Sequence, residues 1–103
     1  MATLDVQSFG RAGLAEIVMA AATAGGDEVP GGTFAGGWHL PVVLLVRNEN
    51  VAARDVTVGA LDPVTVPPSA VAAIPVAPGV PHGDLVPITY SAVVDVTVAA
   101  IGA

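Results

Sequence analysis

Alternating apolar and polar positions recur along the chain and predict β-strands rather than helices. Val-Thr-Val occurs at residues 56–58, 64–66 and 96–98. Runs of β-branched residues with a period of two, bounded by Gly, Pro and Asp, are typical of strands. Several short strands separated by turn residues favour a sandwich or barrel. The sequence therefore predicts an all-β fold, a single small antiparallel β-sandwich or partly open barrel with long Gly/Pro-rich loops.

The most apolar stretch, residues 38–47, predicts a central strand. Residues 42–46 are apolar at every position, so both faces of this strand are expected to be covered. Residues 48–50 predict a turn, after which residues 54–58 are expected to return as the hairpin partner. Further strands are predicted at 64–66, 70–76, 86–91 and 94–101, and Pro87 favours an edge position or a strand start.

The first third of the chain has a weaker pattern. Residues 14–22 fit both a helical and a strand spacing, and the all-β context favours a strand. Residues 1–13 are predicted to be an N-terminal arm or a loose terminus, with residues 14–103 forming the sandwich domain. The Gly and Pro content of residues 24–37 predicts a loop, and residues 78–84 predict a second one.

Composition narrows the class of partner. The 103 residues carry nine acidic side chains against three arginines and no lysine, a formal net charge of −6. Nucleic acids and anionic membranes bind Lys and Arg, so neither is an expected partner. The chain is 53% hydrophobic but only 4% aromatic, so Val, Ala, Leu and Ile must build the core. Such a core predicts modest stability and a role for contacts with other chains.

Few residues offer reactive chemistry. The chain has no Cys, which excludes a thiolate nucleophile and a blue-copper site. His39 and His82 are favoured as structural residues because few other metal ligands accompany them. Residues 25–28 (Gly-Gly-Asp-Glu) are expected to form a solvated turn, since the spacing of a calcium-binding EF-hand loop is absent. No serine lies in a GxSxG motif. The sequence predicts no enzyme, no cofactor and no metal site.

Several short segments resemble a known class of protein. These segments are residues 21–27 (AATAGGD) before a Gly-rich loop, 44–48 (LLVRN), 56–58 (VTV), 88–91 (ITYS) and 96–100 (VTVAA). Together they resemble small β-sandwich head proteins of tailed phages that infect GC-rich bacteria, some of which are capsid decoration (cement) proteins.

The resemblance implies a function and a set of partners. It implies a virion structural protein on the outer capsid surface, which binds the major capsid protein and stabilises the shell by non-covalent contacts. It also implies a homo-oligomer, with a trimer favoured. The alternative is a carbohydrate- or surface-binding β-sandwich module of a phage tail or fibre. Such modules usually present exposed aromatic side chains, which are few in this chain.

Four side chains are the candidates for contact with a partner. They are Phe9, Arg11, Phe34 and Trp38. Aromatic residues and Arg are enriched among the residues that dominate binding at protein interfaces. An N-terminal arm laid along a capsid strand would bind by extending that sheet.

Overall fold

Two five-stranded β-sheets pack face to face around one apolar core. A computed structural model describes residues 2–8, 17–31, 42–76 and 84–102, and within these ranges the chain forms strands and no helix. The strands are β1 (Ala2–Thr3), β2 (Val6–Ser8), β3 (Ala20–Ala21), β4 (Asp27–Pro30), β5 (Val42–Asn48), β6 (Arg54–Val58), β7 (Val64–Val66), β8 (Ala70–Pro75), β9 (Leu85–Tyr90) and β10 (Val96–Gly102).

The strands divide between two mixed sheets. Sheet I has the order β1-β4-β9-β6-β7, and sheet II has the order β2-β10-β5-β8, with β3 also paired to β10. The pairs β1–β4 and β2–β10 are parallel, and the other pairs are antiparallel. The predicted all-β class and the small sandwich are confirmed. In the described part of the chain, no helix has the length and apolarity to cross a membrane.

Period-two alternation places the small apolar side chains between the sheets. Val56 and Val58 of β6 belong to the same core as Leu44 and Val46 of β5, and all four are almost fully buried. Burial of one such side chain contributes about 1.5–3 kcal/mol. The remaining buried apolar residues of the core are Leu4, Val29, Val42, Val66, Ile74, Val76, Val86, Ile88, Val96, Val98 and Ala100.

The N-terminal segment crosses from sheet I to sheet II. β1 pairs with β4, and the backbone N–H of Leu4 donates to the Glu28 carbonyl at 2.8 Å. β2 then pairs with the end of β10. Thus residues 2–8, expected to belong to an arm or a loose terminus, contribute a short strand to each sheet. Strands of two and three residues are too short for a side-chain period to reveal them.

The predicted hairpin of residues 38–47 with 54–58 is wrong. β5 pairs with β8 and β10 in sheet II, whereas β6 pairs with β7 and β9 in sheet I. The segment between β5 and β6 therefore spans the two layers, which lie about 10 Å apart in packed sheets. Both predicted strands exist in their described parts, but a turn signal alone does not distinguish a hairpin from a crossing between sheets.

The predicted edge position for the strand containing Pro87 is also wrong, since β9 lies between β4 and β6. The local hydrogen bonds explain why proline is tolerated there. The backbone N–H of Gly59 donates to the Pro87 carbonyl at 2.8 Å, so the nitrogen of Pro87 faces Gly59. β6 has already ended at Val58, and Gly59 turns away with a φ of 56°. Pro87 therefore lacks its N–H at the end of the β6–β9 ladder, where the missing donor costs a single hydrogen bond.

The predicted loop over residues 24–37 contains a strand. β4 begins directly after a turn in which the Gly26 N–H donates to the Thr23 carbonyl at 2.9 Å. Residues 32–37 lie outside the described residues. Of the strand predicted over residues 14–22, β3 forms within the described part as a short pair with β10. Glycine content therefore indicates the turn but conceals the strand that follows it.

Gly26→Ala is expected to lower the free energy of unfolding by about 2 kcal/mol, because it combines backbone strain with a steric clash. Gly26 has a φ of 103°, and an added Cβ would lie 2.6 Å from the Ile88 carbonyl oxygen. Gly25→Ala is the matched control. Gly25 has a φ of 95° but open space around its Cβ position, so a loss of about 1 kcal/mol is expected. Urea denaturation of both variants measures the difference, and equal losses would contradict the role of the Ile88 contact.

Candidate functional site

The side chains predicted to contact a partner lie outside the part of the chain that the structure describes. They are Phe9, Arg11, Phe34 and Trp38, and the histidines His39 and His82 also lie outside it. Their roles therefore stay predictions. Within residues 2–8, 17–31, 42–76 and 84–102, no group of three or more His, Asp or Glu side chains is arranged to hold a metal ion.

A buried carboxylate begins β4. Asp27 is fully buried, and its Oδ2 accepts hydrogen bonds from the Tyr90 hydroxyl at 2.7 Å and from the Thr23 N–H at 3.1 Å. Its Oδ1 accepts from the Ala2 N–H at 3.3 Å. The prediction of a solvated turn is therefore wrong for Asp27. Its side chain points inward because β4 alternates from this residue onward, and three donors compensate for its lost hydration.

The hydrogen bonds set the charge of this cluster. Burial raises the pKa of Asp27, but the hydrogen bonds from Tyr90, Thr23 and Ala2 outweigh burial and hold the pKa below its ordinary value. Burial, together with the hydrogen bond and the negative charge of Asp27, raises the pKa of Tyr90 far above its ordinary value. At neutral pH the pair is thus a carboxylate and a neutral phenol. A general acid or base needs a pKa near the working pH, so this pair is better suited to holding β1, β4 and β9 together.

A second buried polar side chain lies in sheet II, at the end of β5. It is an amide that mainly donates hydrogen bonds, whereas Asp27 accepts them. Asn48 is fully buried, and the two hydrogens of its Nδ2 are shared among the carbonyls of Ala52 at 2.9 Å, Val66 at 3.1 Å and Pro67 at 3.3 Å. Its Oδ1 accepts from the Asn50 N–H at 3.0 Å. The amide therefore links the end of β5 to the corner at which the chain passes from β7 to β8.

The outer face of sheet II is apolar. Cross-strand pairs place Leu45 of β5 between Ala73 of β8 and Ala99 of β10, and place Val43 between Pro75 and Ile101. Val71 extends the same face and is 61% exposed. We call this set of residues the apolar face: Val43, Leu45, Val71, Ala73, Pro75, Ala99 and Ile101.

Polar residues lie only along the borders of the apolar face among the described positions. Arg47 follows Leu45 by two residues, Thr97 precedes Ala99 by two residues in the antiparallel strand, and both form one border row with Val71. Arg47 makes an exposed ion pair with Glu49 at 2.9 Å, which satisfies its charge at the edge of the face. A partner at the centre of the apolar face would therefore contact apolar side chains and no charged group.

The outer face of sheet I has the opposite character. Its polar residues are Thr3, Glu28, Asp55, Thr57, Thr65 and Thr89, and Pro30, Leu85 and Pro87 complete it. Its polar groups bond to each other across strands. The Thr65 hydroxyl donates to Asp55 Oδ1 at 2.7 Å, and the Thr3 hydroxyl donates to Glu28 Oε1 at 2.9 Å. Alternation of apolar-in and polar-out is the normal pattern of a sheet that faces water.

The sequence does not reveal the apolar face, because an uninterrupted apolar run predicts a strand that is covered on both sides. Residues 42–46 are apolar on both sides, and the pattern predicts cover on both sides. The structure places β5 between β10 and β8 as a central strand, with Leu44 and Val46 in the core and Val43 and Leu45 outward and half-buried. The described residues form no second layer over Val43 and Leu45. Contiguous apolar surface of this kind marks interaction sites.

A cleft of about 360 Å³ opens where β2 and β3 approach β10. Its walls are mainly small or apolar, including Leu4, Ala20 and Ala99, and its polar side chains include Asp5 and Gln7. The Gln7 amide is already engaged, because it donates to the Val18 carbonyl at 2.8 Å and accepts from the Val18 N–H at 2.9 Å. A ligand site needs several converging polar groups to orient its ligand, and this cleft offers few.

The apolar face is therefore the strongest candidate site in the described structure. The two buried polar clusters have their hydrogen bonds satisfied within the fold, as structural groups do. Ala99, which is 3% exposed and lines the cleft, is already covered within the fold. The other residues of the apolar face are exposed or half-buried, and this apolar surface is available to a partner. Comparison of the chain with protein-family models, with curated proteins and with solved structures finds no match.

Proposed function

We propose that this chain is a structural protein of a phage particle, a capsid decoration protein that binds the outside of the shell through the apolar face of sheet II. The contrast between the two outer faces carries the proposal. One face has the polar, mutually bonded surface of a sheet in water, and the other has Leu45, Val43 and Ile101 at its centre. An assembly component needs one face of each kind, since one side is covered and the other meets solvent.

The charge distribution supports the same orientation. Glu28 and Asp55 lie on the outer face of sheet I, whereas the apolar face has no acidic residue of its own. A protein with a net charge of −6 thereby turns acidic surface toward solvent and uncharged surface toward its partner. Depletion of charge at the centre is characteristic of protein interfaces. The absence of aromatic residues from the apolar face favours a protein partner over a sugar, because sugars usually stack on exposed aromatic rings.

The effect on the shell would follow from mass action. A chain that binds only the assembled shell stabilises that shell by an amount set by its concentration relative to the dissociation constant. Many identical sites make a modest affinity at each site sufficient. The major capsid protein is the proposed partner, and the trimer that the resemblance implies remains a prediction.

Copy number in purified particles tests the proposal directly. Quantitative mass spectrometry against the major shell protein should find a number of copies comparable to that of the shell protein. A handful of copies per particle would favour a tail or vertex role and overturn decoration. Complete absence of the chain from particles would overturn the virion role as a whole.

Leu45→Asp is expected to reduce the number of bound copies at least tenfold at a fixed protein concentration. A carboxylate at the centre of a covered apolar face loses its hydration without gaining a partner. Purified shells that lack the chain, titrated with each variant and recovered by sedimentation, provide the measurement.

Thr57→Asp is the matched control for Leu45→Asp. Thr57 is also half-buried and also lies on an interior strand, but on the outer face of sheet I. This variant is expected to bind as the native chain does. Urea denaturation of both variants separates lost docking from lost folding. Equal binding by Leu45→Asp and the native chain would show that the apolar face is not the docking surface.

A further inference from the structure

β8 forms one edge of sheet II, and no strand within the described ranges pairs with its other side. It pairs with β5 from Ala70 to Pro75 without a bulge. The Val76 N–H donates to the Val42 carbonyl at 2.9 Å. In an antiparallel pair the backbone groups of successive residues point alternately toward and away from the partner. The groups of Ala72 and Ile74 therefore face β5, and those of Val71, Ala73 and Pro75 face the open side.

This open edge has little of the protection usual in natural sheets. Short length, charged side chains and bulges normally prevent edge strands from pairing with other chains. The edge strands β1 and β7 of sheet I have two and three residues, whereas β8 has six. β8 carries no charged residue, and Val71 is 61% exposed. Only Pro75 limits pairing, because it has no N–H to donate.

We propose that β8 pairs antiparallel with β8 of a second copy of this chain, which joins the two copies of sheet II into one sheet across a two-fold axis. Ala73 lies opposite Ala73 of the second copy, and each donates its N–H to the other's carbonyl. Val71 lies opposite Pro75, so the Val71 N–H donates to the Pro75 carbonyl. The missing N–H of Pro75 leaves only the Val71 carbonyl without a donor in this register.

A second copy fits this edge because the register of β8 matches itself and because β8 carries no charge. Two chains of net charge −6 repel each other, so they can meet only where acidic side chains are absent. β8 has none, and the nearest charged residue among its paired neighbours is Arg47, which lies opposite Val71 and is bonded to Glu49. Because the same strand serves on both sides, the contact closes as an isologous dimer.

The pairing would also extend the apolar face. Val71 and Pro75 point outward from sheet II, so their neighbours in the second copy continue the same surface. The proposal uses backbone groups of β8 and does not rest on the capsid role. It differs from the trimer that the resemblance implies, because a two-fold axis relates two copies. A strand pair alone covers less than the roughly 1,200 Å² typical of stable complexes, so we expect a dissociation constant on the order of 0.1–1 mM.

Two measurements on the full chain test the pairing. Sedimentation equilibrium from about 10 μM to 2 mM, a range that brackets the expected dissociation constant, should show a monomer that becomes a dimer. Amide hydrogen exchange followed by NMR should show protection of Val71 and Ala73 that increases with protein concentration. Ala72 and Ile74 bond to β5 and should be protected at every concentration.

Ala73→Pro is expected to weaken dimerisation at least tenfold. It removes the central donor on the open side, at a position equivalent to that of Pro75, which the fold already accepts. Thr65→Pro is the matched control. The Ser91 N–H bonds to the Asp55 carbonyl at 2.9 Å, so Asp55 faces β9 and its neighbour Thr65 in β7 faces the open side of sheet I. This variant should dimerise as the native chain does.

Each of several outcomes would overturn the proposal. They are a native chain that stays monomeric throughout the range, a native chain that forms a trimer, and a dimer whose affinity Ala73→Pro leaves unchanged. Should Ala73→Pro fail to fold, exchange in the native chain decides, since protection of Val71 and Ala73 that does not depend on concentration rejects the pairing. None of these results depends on shells or particles, so failure here is distinct from failure of the decoration role.

Discussion

Asn48→Ala is expected to lower the free energy of unfolding by about 3 kcal/mol, a large loss for a small domain. The Asn48 amide is the donor to the carbonyls of Val66 and Pro67 at the β7–β8 corner. Pro67 and Pro68 have no N–H groups, so this corner has few donors of its own. Truncation to Ala leaves buried carbonyls without a partner and also opens a cavity. Urea denaturation at neutral pH measures the loss.

Asn48→Asp and Asn50→Ala define what the amide contributes. Asp keeps the size of the side chain and can still accept the Asn50 N–H, but it replaces the donor by an oxygen that faces carbonyls. Asn48→Asp should therefore lower the free energy of unfolding at least as much as Asn48→Ala does. The Asn50 side chain donates to Asp95 at 2.9 Å and accepts from the Ala52 N–H at 3.0 Å. Both bonds are exposed, so Asn50→Ala should lower the free energy of unfolding by about 1 kcal/mol. A loss below about 1 kcal/mol for Asn48→Ala would contradict the role of the amide at the corner.

Strand positions are predictable from this sequence wherever residue types alternate. β6, β7 and β10 contain the three Val-Thr-Val segments, and in each of them the valines point into the core or its rim. Strand partners are less predictable, because the period of two says which side is buried but not which neighbour bonds. The passage from β5 to β6 looks like a hairpin turn in sequence. It is a crossing between the sheets, and the Asn48 side chain at its start bonds to the Val66 carbonyl, 18 residues away.

Contacts between residues that are far apart in the sequence account for most of the features that the sequence does not reveal. β1 and β2 pair in parallel through two and three residues, which leaves no side-chain period. Pro87 lies within a central strand because β6 ends at its level. Asp27 looks like part of a polar turn, and only Tyr90, 63 residues later, shows why it is buried. Contacts between distant residues decide these features, and a local pattern does not contain them.

The candidate site shows the same limit. Residues 42–46 are apolar without interruption, which correctly indicates a central strand. One side of β5 is buried in the core, as expected. On the other side, the described residues form no layer over the strand. An uninterrupted apolar strand in a small acidic chain therefore has two interpretations, a fully buried strand and a strand with one face reserved for a partner. The polar outer face of sheet I favours the second for this protein.

Asp27→Ala is expected to lower the free energy of unfolding at neutral pH by about 3–4 kcal/mol, the largest loss predicted for this chain. The carboxylate accepts bonds from Tyr90, Thr23 and Ala2. Its removal leaves a buried hydroxyl and two backbone N–H groups without their acceptor. Because the Ala2 bond is among those lost, β1 should also detach more easily from β4, which faster amide exchange at Leu4 would report.

Tyr90→Phe isolates one of these bonds and should cost about 1.5–3 kcal/mol, since the hydroxyl donates to a charged acceptor. A double-mutant cycle of Tyr90→Phe with Asp27→Asn measures their coupling. Asp27→Asn keeps the shape of the side chain but removes its charge. A coupling energy below about 0.5 kcal/mol would show that the 2.7 Å contact contributes little.

The pH dependence of stability tests whether Asp27 acts through its charge, because a side chain that only fills space would give no such dependence. The folded pKa of Asp27 lies below its unfolded value, so the ionised carboxylate stabilises the fold fully above about pH 4. That contribution is lost as the pH falls through the folded pKa. The stability difference between the native chain and Asp27→Asn should therefore narrow below about pH 4. A difference that stays constant between pH 7 and about pH 3 would contradict the charged state of Asp27.

At alkaline pH it is Tyr90 that titrates, and its stabilising contribution is lost as the pH rises. The folded pKa of Tyr90 is raised, so its neutral form stabilises the fold fully below the ordinary tyrosine pKa of about 10, and this contribution is lost as the pH rises through the folded value. Tyr90 is the single tyrosine of the chain, so its ultraviolet absorbance reports its ionisation alone. In the folded protein the tyrosinate signal should appear only at a pH well above 10, together with unfolding. An ordinary titration near pH 10 in a chain that remains folded would show that Tyr90 does not donate to Asp27.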